Sequence, residues 1–246
     1  MEGAVLDPSA ESDTDVLSRG EMQIVGHFVH GSNYTFLANL KLGSRQVQAV
    51  YKPIRGENPL WDFPNRTLAK REVAAFELSE WLGWHLVPPT VFRRSASLGA
   101  GSLQLFIEHD PNRHYFTLTQ SEIQLLKPVA LFDVIVNNAD RKGSHLIFDS
   151  LDRMWCIDHG LCFNREEKLR TVIWDFAGEP IPLSLLEDLS RARAPLIRGG
   201  ELFNRLHSYL SIAEIQALEK RISAVIAAPY FPFLPPGRRA IPYPPL

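Results

Sequence analysis

Hydrophobic and polar positions alternate along much of the first hundred residues, and this pattern predicts β-strands. Candidate strands lie in a three-stranded meander within 20–54 and at 87–93 and 102–108. Between them, apolar residues of segment 67–82 recur at helical spacing, and Gly83 follows where a helix would end. The first part of the chain is therefore predicted to be a small antiparallel sheet with one helix.

The second half of the chain changes to helical periodicity. Three Ser/Thr-x-x-Glu sequences, which are typical of helix N-termini, precede apolar runs at Thr119, Ser184 and Ser211. Pro128 interrupts the first of these runs, so we expect that helix to bend or break there. A single predicted β-hairpin, residues 145–157, separates this helix from the later ones.

The two ends of the chain differ in composition from the rest. Residues 1–17 carry five acidic residues and no basic one, which predicts a disordered acidic tail. Residues 229–246 contain seven prolines and therefore cannot form a helix or a central strand. We expect this segment to be an extended arm on the domain surface. The alternative is a proline-rich ligand for a protein partner.

Composition limits the class of protein. The chain has 246 residues, of which 45% are hydrophobic and 22% charged, an ordinary balance for a soluble globular protein. The net charge of -2 gives no reason to expect nucleic-acid binding. Two cysteines fit a reducing compartment, and no apolar run is long enough to span a membrane. We therefore expect a cytoplasmic protein without integral membrane association.

Candidate chemistry concentrates at the predicted hairpin. Asp140 and His145 stand at its start and Asp158 just after its end, and a hairpin brings its two ends together. Asn138 and Lys142 lie nearby in sequence. Oxygen-rich loops of this kind suit a hard cation such as Mg²⁺. Asp is also a common turn residue, so each position alone has a structural interpretation, but the cluster as a whole favours a functional one.

The first half contributes a lysine and a glutamate. Lys52 ends an apolar strand, where its ammonium group could bind phosphate oxygens. Glu72 lies early in the following helix and could pair with Lys52. The alternative is that Lys52 is solvated at the strand end and Glu72 is only favourable in the first turns of a helix.

This order of features resembles the protein-kinase-like fold. It is more similar to the atypical branch of phosphatidylinositol 3-/4-kinase-like and HipA-type bacterial kinases. Asp140-Arg-Lys-Gly-Ser-His145 resembles the catalytic loop of that branch, and Asp158-His-Gly160 its metal-binding element. Three further sequence segments resemble segments of small actinobacterial proteins described as phosphatidylinositol kinase-like: Leu60–Pro64, Arg71–Ala75 and Val87–Thr90.

The resemblance implies a two-lobed α+β fold with ATP bound between the lobes. The N-lobe, an antiparallel sheet, would span 18–110, and the mainly helical C-lobe 111–228. The implied activity is an ATP-dependent phosphotransferase that uses Mg²⁺ or Mn²⁺ and an unidentified hydroxyl acceptor. A protein Ser/Thr or a small molecule is favoured over a lipid, because the sequence has no lysine-rich run or basic amphipathic helix.

The resemblance also implies roles for single residues. Lys52 would bind the α- and β-phosphates with Glu72 orienting it, Asp140 would accept the proton of the acceptor hydroxyl, Lys142 would stabilise the transferred group, and Asp158 would hold the metal. The remaining nucleotide-binding and metal-binding positions are Gly31, Ser32 and Asn33 over the phosphates, Gln104, Phe106 and Glu108 at the adenine hinge, and His145 and Asn138 at the metal.

Residues 164–182 follow Asp158 as an activation segment would, and Thr171 is their only hydroxyl side chain. The equally simple interpretation is a solvated charged loop.

Two departures from the family pattern bear on activity. Lys142 stands where the family has a histidine after Asp-Arg. His145 stands where the family has an asparagine metal ligand, and imidazole suits softer metals than Mg²⁺. Asn138 could supply an amide oxygen instead. Two alternatives follow: a nucleotide-binding pseudokinase that acts through a partner, and a metal-dependent hydrolase built on Asp140, His145, Asp158 and His159. Transfer of AMP is a further alternative.

Overall fold

The computed structural model describes residues 11–28 and 33–246, which form two units. The first unit runs to Asn58 and also includes Pro89–Phe106. The second unit consists of Pro59–Pro88 and Ile107–Leu246. The segment 67–82, predicted as part of the N-lobe, thus belongs by its contacts to the second unit. The lobe limits 18–110 and 111–228 stay predictions.

In the part of the chain that the structure describes, the first unit contains a five-stranded antiparallel sheet in the order β1-β2-β3-β5-β4. Its strands are β1 (Glu21–Phe28), β2 (Thr35–Leu42), β3 (Arg45–Pro53), β4 (Thr90–Arg93) and β5 (Gly101–Leu105). The first three strands form the predicted meander, with Leu40 opposite Val47 and Phe36 opposite Tyr51. Alternate residues of each strand face one core, because successive side chains point to opposite faces.

A short helix, α1 (Asp13–Arg19), covers this core. Its Val16 and Leu17 are completely buried together with residues of β2, β3 and β5. Ser12 and Asp15 form a reciprocal capping box at its N-terminus, so part of the acidic composition serves to begin a helix. The prediction of a disordered tail over 1–17 was therefore wrong for 13–17, while residues 1–10 lie outside the described part.

The second unit is mainly helical. Its helices are α2 (Leu68–Trp81), α3 (Gln120–Ile123), α4 (Lys127–Val136), α5 (Leu183–Leu196), α6 (Glu201–His207) and α7 (Ile212–Ala227). The predicted hairpin is present as β6 (Leu146–Phe148) and β7 (Met154–Cys156). Buried residues of the helices and the hairpin form one continuous hydrophobic core. No helix in the described ranges is long and apolar enough to cross a membrane.

Two of the three predicted capping boxes are formed. Thr119 and Ser211 each accept a hydrogen bond from the backbone of the glutamate three residues later. Ser184 does not cap, because α5 begins one residue earlier, after Pro182, and Ser184 lies inside the helix. The predicted break at Pro128 is present, since this proline lies in the first turn of α4.

The proline-rich segment 229–246 lies along the second unit. Phe231 is 4% exposed and packs against Phe176, with 5.5 Å between the ring centroids. Farther along, the Thr171 N–H donates to the Ala240 carbonyl over 3.0 Å. The arm therefore pairs with residues 164–182, the segment that follows Asp158.

Candidate active site

The β6–β7 hairpin joins the two predicted catalytic aspartates. The pairing of its strands continues beyond β7, where Ile157 N–H donates to the His145 carbonyl over 3.0 Å. Asp140 precedes the hairpin and Asp158 follows it, and their carboxylates are close enough to influence each other electrostatically. The hairpin thus brings together two acidic groups that are 18 residues apart in sequence.

Asp140 has an unusual protonation equilibrium. Burial raises the pKa of the Asp140 carboxyl to about 6, the Lys142 ammonium opposes this shift, and the negative charge of Asp158 adds to it. The Lys142 Nζ lies 3.6 Å from Asp140 Oδ2. A carboxylate with a raised pKa beside a lysine can take up a proton more readily than an ordinary aspartate.

Asp158 has a strained backbone and an accessible side chain. Its φ of 61° places it in the left-handed region, which non-glycine residues rarely occupy and which Asp and Asn tolerate best. Its side chain is 48% exposed. The accessible carboxylate is therefore held by a backbone conformation that suits aspartate or asparagine.

His145 faces Asp158 through a particular ring nitrogen. The Lys142 N–H donates to His145 Nδ1 over 3.3 Å, while His145 Nε2 lies 3.4 Å from Asp158 Oδ2. An imidazole that accepts at Nδ1 carries its proton on Nε2. His145 therefore presents an N–H to Asp158, whereas a metal ligand would present a lone pair.

Asn138 is held inside the loop. Its Oδ1 accepts from the Asp140 N–H and its Nδ2 donates to Asp133 Oδ1, each over 3.0 Å. The side chain is completely buried. Its oxygen positions the backbone of Asp140, so we do not retain the predicted metal role of Asn138.

A buried arginine fixes the spacing of the two aspartates. Arg141 forms a salt bridge with Asp133, and both side chains are fully buried. Its Nη1 donates to the Ile157 carbonyl over 2.9 Å, and its Nη2 lies 2.7 Å from His159 Nε2. Arg141 follows Asp140 in the chain and binds the residues on both sides of Asp158. It therefore ties the two loops together.

The contact with Arg141 also determines the hydrogen-bonding role of the His159 ring. Its ring is fully buried, packs against Phe132 and faces Arg141. The Arg141 guanidinium has only N–H donors, so His159 Nε2 accepts from it and has no lone pair left there for a metal. The hydrolase interpretation, which required His159 beside Asp140 and Asp158, loses its fourth ligand.

Glu72 is buried on α2 and binds the loop of Asp158. Its Oε2 accepts from the His159 backbone N–H over 2.9 Å. Lys52 lies on β3 of the first unit, on the sheet face opposite the buried Ala49 and Tyr51. The pairing of Lys52 with Glu72 stays a prediction.

Among the other predicted nucleotide-binding residues, some already form hydrogen bonds within the protein and one is exposed. Gly31 and Ser32 lie outside the described residues, while Asn33 Oδ1 accepts from the Asn58 N–H over 2.8 Å. At the predicted hinge, the Phe106 N–H is paired with the carbonyl of Gln48, and Gln104 Nε2 donates to Thr90 Oγ1 over 2.9 Å. Glu108 is exposed in the second unit.

The donor chemistry fits a hard divalent cation. Asp158 offers an accessible carboxylate, and a cation beside it would offset the repulsion between the Asp158 and Asp140 carboxylates, which adds to the effect of burial on the pKa of Asp140. Mg²⁺ typically uses one or two carboxylates and completes its shell with water and phosphate oxygens. Within residues 11–28 and 33–246, no three His, Cys, Asp or Glu side chains converge as a metal-binding group.

Sequence reasoning missed Asp133, and it singled out Thr171 without its hydrogen bond to Asp133. Asp133 Oδ2 accepts from Thr171 Oγ1 over 3.0 Å, in addition to its contacts with Arg141 and Asn138. Asp133 is the one charged residue in the run Pro128–Val136, which was a usable signal. A lone charge in an apolar helix is expected to be buried with a partner.

Comparisons with solved structures show the fold. The hydra Fam20 structure with sugar matches with a TM-score of 0.57 and 17% identity, covering 89% of each chain. The Golgi casein kinase with Mn/ADP bound gives 0.54 and 16%, covering 86% of this chain and 73% of that one. The Helicobacter pylori proinflammatory kinase CtkA gives 0.50 and 13%, covering 87% and 94%. The predicted kinase-like α+β fold is confirmed, while its assignment to the phosphatidylinositol kinase and HipA branch stays a prediction.

The sequence comparison gives a relative along nearly the whole chain. No protein-family profile matches the chain. Protein Rv2133c of Mycobacterium tuberculosis is 38% identical over an alignment of 264 residues, which covers 93% of this chain and 94% of that protein. The chain therefore belongs to the family of the mycobacterial protein Rv2133c, and its fold is kinase-like.

Proposed function

We propose that the protein is an ATP-dependent phosphotransferase of the atypical kinase type. The observation that carries the proposal is the Asp140–Asp158 pair on a kinase-like fold, with the pKa of Asp140 raised to about 6. Phosphoryl transfer depends mainly on positioning the reactants and on neutralising the charge of the phosphates. One carboxylate of the pair can orient the acceptor hydroxyl and the other can hold a metal ion, while the lysine supplies positive charge.

In this proposal each residue has one task. Asp140 orients the acceptor hydroxyl and takes its proton, and Lys142 neutralises charge on the transferred group. Asp158 holds Mg²⁺ or Mn²⁺, which when bound neutralises charge on the phosphates. Lys52 binds phosphate oxygens, and Glu72 keeps the loop of Asp158 in place through the His159 N–H. Gly31, Ser32 and Asn33 cover the phosphates, and the chain from Gln104 to Glu108 meets the adenine.

A nucleotide-binding experiment tests the proposal. Thermal unfolding is measured with ATP, with and without Mg²⁺ or Mn²⁺, for the wild type and Asp158→Asn. Asparagine tolerates the left-handed backbone, so this variant should fold. Ligand at 100 times its dissociation constant adds about 2.7 kcal/mol, which raises the wild-type midpoint by roughly 5–10 °C. Asp158→Asn should lose the metal-dependent part of that shift.

Asp152→Asn is the matched control. Asp152 lies in the turn of the same hairpin, also has a left-handed backbone, with φ 66°, and pairs at the surface with Arg113. Its variant should keep the full response to ATP and metal. If well-folded wild-type protein shows no shift with any nucleotide, the phosphotransferase proposal is wrong.

His145 favours a second candidate, a nucleotide-binding pseudokinase. Its Nε2–H faces Asp158 where the family pattern has an asparagine oxygen. ATP binding without ADP formation would support this candidate. In that case, His145→Asn should raise Mg²⁺-dependent ADP formation about tenfold or more, because the amide supplies the hard oxygen that imidazole lacks. His85→Asn, at an exposed position, is the control and should change nothing.

A further inference from the structure

The arm 229–246 consists of a fixed part, 229–240, and an arm end, 241–246. The fixed part is anchored along the segment that follows Asp158. Phe231 is buried in the main core, and its backbone pairs with both Gly178 and Glu179. Arg238 forms an ion pair with Glu167, and the Ala240 carbonyl accepts from the Thr171 N–H.

The arm end is held much more weakly. Apart from Pro242, all its residues are exposed. It reaches the body of the unit through Pro245, whose carbonyl accepts from the Gly143 N–H over 2.8 Å. Because the side chains of the arm end are less buried than Phe231 in the fixed part, the arm end should detach more readily while the fixed part stays in place.

The arm end lies beside the predicted catalytic loop. Gly143 directly follows Lys142 and is the third residue after Asp140. A Cβ at Gly143 would lie 2.7 Å from the Phe116 ring and 3.5 Å from Leu246 Cδ1. The lack of a side chain at Gly143 therefore allows the Phe116 ring to approach the loop backbone, and Leu246 of the arm end lies at contact distance from the same position.

The surroundings of Gly143 match the chemistry that recognises proline-rich peptides. Phe116 is 52% exposed and is supported by Tyr115, with ring centroids 5.1 Å apart. An exposed aromatic ring beside a backbone N–H donor suits a segment whose prolines offer carbonyls and no N–H groups. The arm end, Ile-Pro-Tyr-Pro-Pro-Leu, supplies such prolines on a backbone that bends at Ile241, Tyr243 and Pro244.

We propose that the surface formed by Gly143 and Phe116 is the docking site of the phosphate acceptor, that the acceptor is a proline-containing protein segment, and that the arm end occupies the site in its absence. The inference rests on the proposed function and assigns its substrate class. Tethering by the fixed part gives the arm end a high effective concentration, so it competes with a separate peptide despite its few contacts.

The test uses the protein truncated after Ala240 and a fluorescently labelled peptide, Ile-Pro-Tyr-Pro-Pro-Leu. By anisotropy, the truncated protein should bind the peptide about tenfold or more tightly than the full chain does. Phe116→Ala in the truncated protein should weaken binding about fivefold or more. Hydrogen exchange in residues 141–146 should be faster after truncation and slower again when the peptide is added.

Transfer to a peptide tests the acceptor role. In the peptide Ile-Pro-Ser-Pro-Pro-Leu, a serine takes the place of Tyr243. The truncated protein should phosphorylate it from ATP about tenfold or more faster than the full chain does. Equal peptide binding by both proteins, or no peptide binding by either, overturns the inference. Peptide binding without transfer by either protein overturns the acceptor assignment.

Two controls separate the possible failures. A full-length variant with Gly-Ser-Gly-Ser-Gly-Ser at 241–246 keeps the chain length and should behave like the truncated protein. Thermal shifts with ATP are measured on every variant. If peptide binding fails while the ATP shift remains, the docking inference is wrong and the proposed function stands. If the ATP shift is absent from every variant, the proposed function itself is wrong.

Discussion

At the scale of the residue, Arg141 has the largest structural role in the candidate site. It is fully buried, and its guanidinium binds a carboxylate, a backbone carbonyl and an imidazole at the same time. The planar fork of donors makes this combination possible, and a lysine ammonium cannot reproduce it. The relative position of Asp140 and Asp158 therefore depends on a residue whose own charge is neutralised by Asp133.

Replacing this arginine should be costly. We expect Arg141→Lys to lower the free energy of unfolding by about 3–5 kcal/mol, because Asp133 would be left poorly paired in the interior. Urea unfolding of the isolated variant measures the change. Arg153→Lys is the control, since Arg153 is 59% exposed and pairs with Asp149 at the surface. It should change stability by about 1 kcal/mol or less. A similar small effect in both variants would contradict the role assigned to Arg141.

A second buried pair gives a pH-dependent prediction. Arg71 on α2 and Glu214 on α7 form a salt bridge, and Arg71 also donates to the Cys162 carbonyl. Burial tends to raise the pKa of Glu214, but Arg71 and Ser211 outweigh it and the pKa is lowered. The pair therefore stabilises the fold fully above the ordinary glutamate pKa of about 4.3, and this contribution is lost as the pH falls through the lower folded-state value.

Glu214→Gln should remove that contribution. At pH 7 we expect a loss of about 3–5 kcal/mol, because Arg71 remains buried without its partner. The difference from the wild type should shrink as the pH falls below the ordinary glutamate pKa of about 4.3. It should level off once the pH is below the lower pKa that Glu214 has in the folded state, because the residue is then protonated in both states. Unfolding curves from pH 7 to pH 3 check this. Glu219→Gln, on the same helix, should not show the pH-dependent difference.

At the scale of the element, the sequence pattern predicted most strands and helices. The apolar periodicity that defines a long strand or helix is contained in the sequence of that segment itself. Helix α1 was missed because it has only seven residues, and its stability comes from burying Val16 and Leu17 against the sheet. The proximity of Asp140 and Asp158 was predictable from the hairpin. The hydrogen bond of Glu72 to the His159 N–H was not, since it joins residues 87 positions apart.

Ser184 and Ser211 both begin Ser-x-x-Glu sequences, but only Ser211 caps a helix, and this difference can be tested. Ser211→Ala should destabilise the protein by about 1 kcal/mol, because Ser211 caps α7 and also contacts Glu214. Ser184→Ala should change stability by less than about 0.5 kcal/mol, since Ser184 is exposed inside α5, where alanine is the better helix former. Chemical unfolding of both variants decides, and equal effects would be evidence against these cap assignments.

At the scale of the whole molecule, the proline-rich arm is part of the folded second unit, and a pair of phenylalanines tests this. Phe231 is buried in the main core, while Phe233 is 73% exposed. Phe231→Ala should cost about 3–5 kcal/mol, and Phe233→Ala about 1 kcal/mol or less. Thermal and urea unfolding measure both. A small loss for Phe231→Ala would mean that the arm contributes little to the stability of the fold.

The burial of Thr171 determines how phosphorylation would act on segment 164–182. It is 2% exposed, and its hydroxyl donates to Asp133 and accepts from the Ile173 N–H. A phosphate there would place about two negative charges against a buried carboxylate and break both hydrogen bonds. Because segment 164–182 has no other hydroxyl side chain, hydroxyl phosphorylation of this segment would have to occur at this buried position. A phosphate could therefore be added only while the Thr171 side chain is away from Asp133 and Ile173, and it would then keep the segment from returning to its folded position.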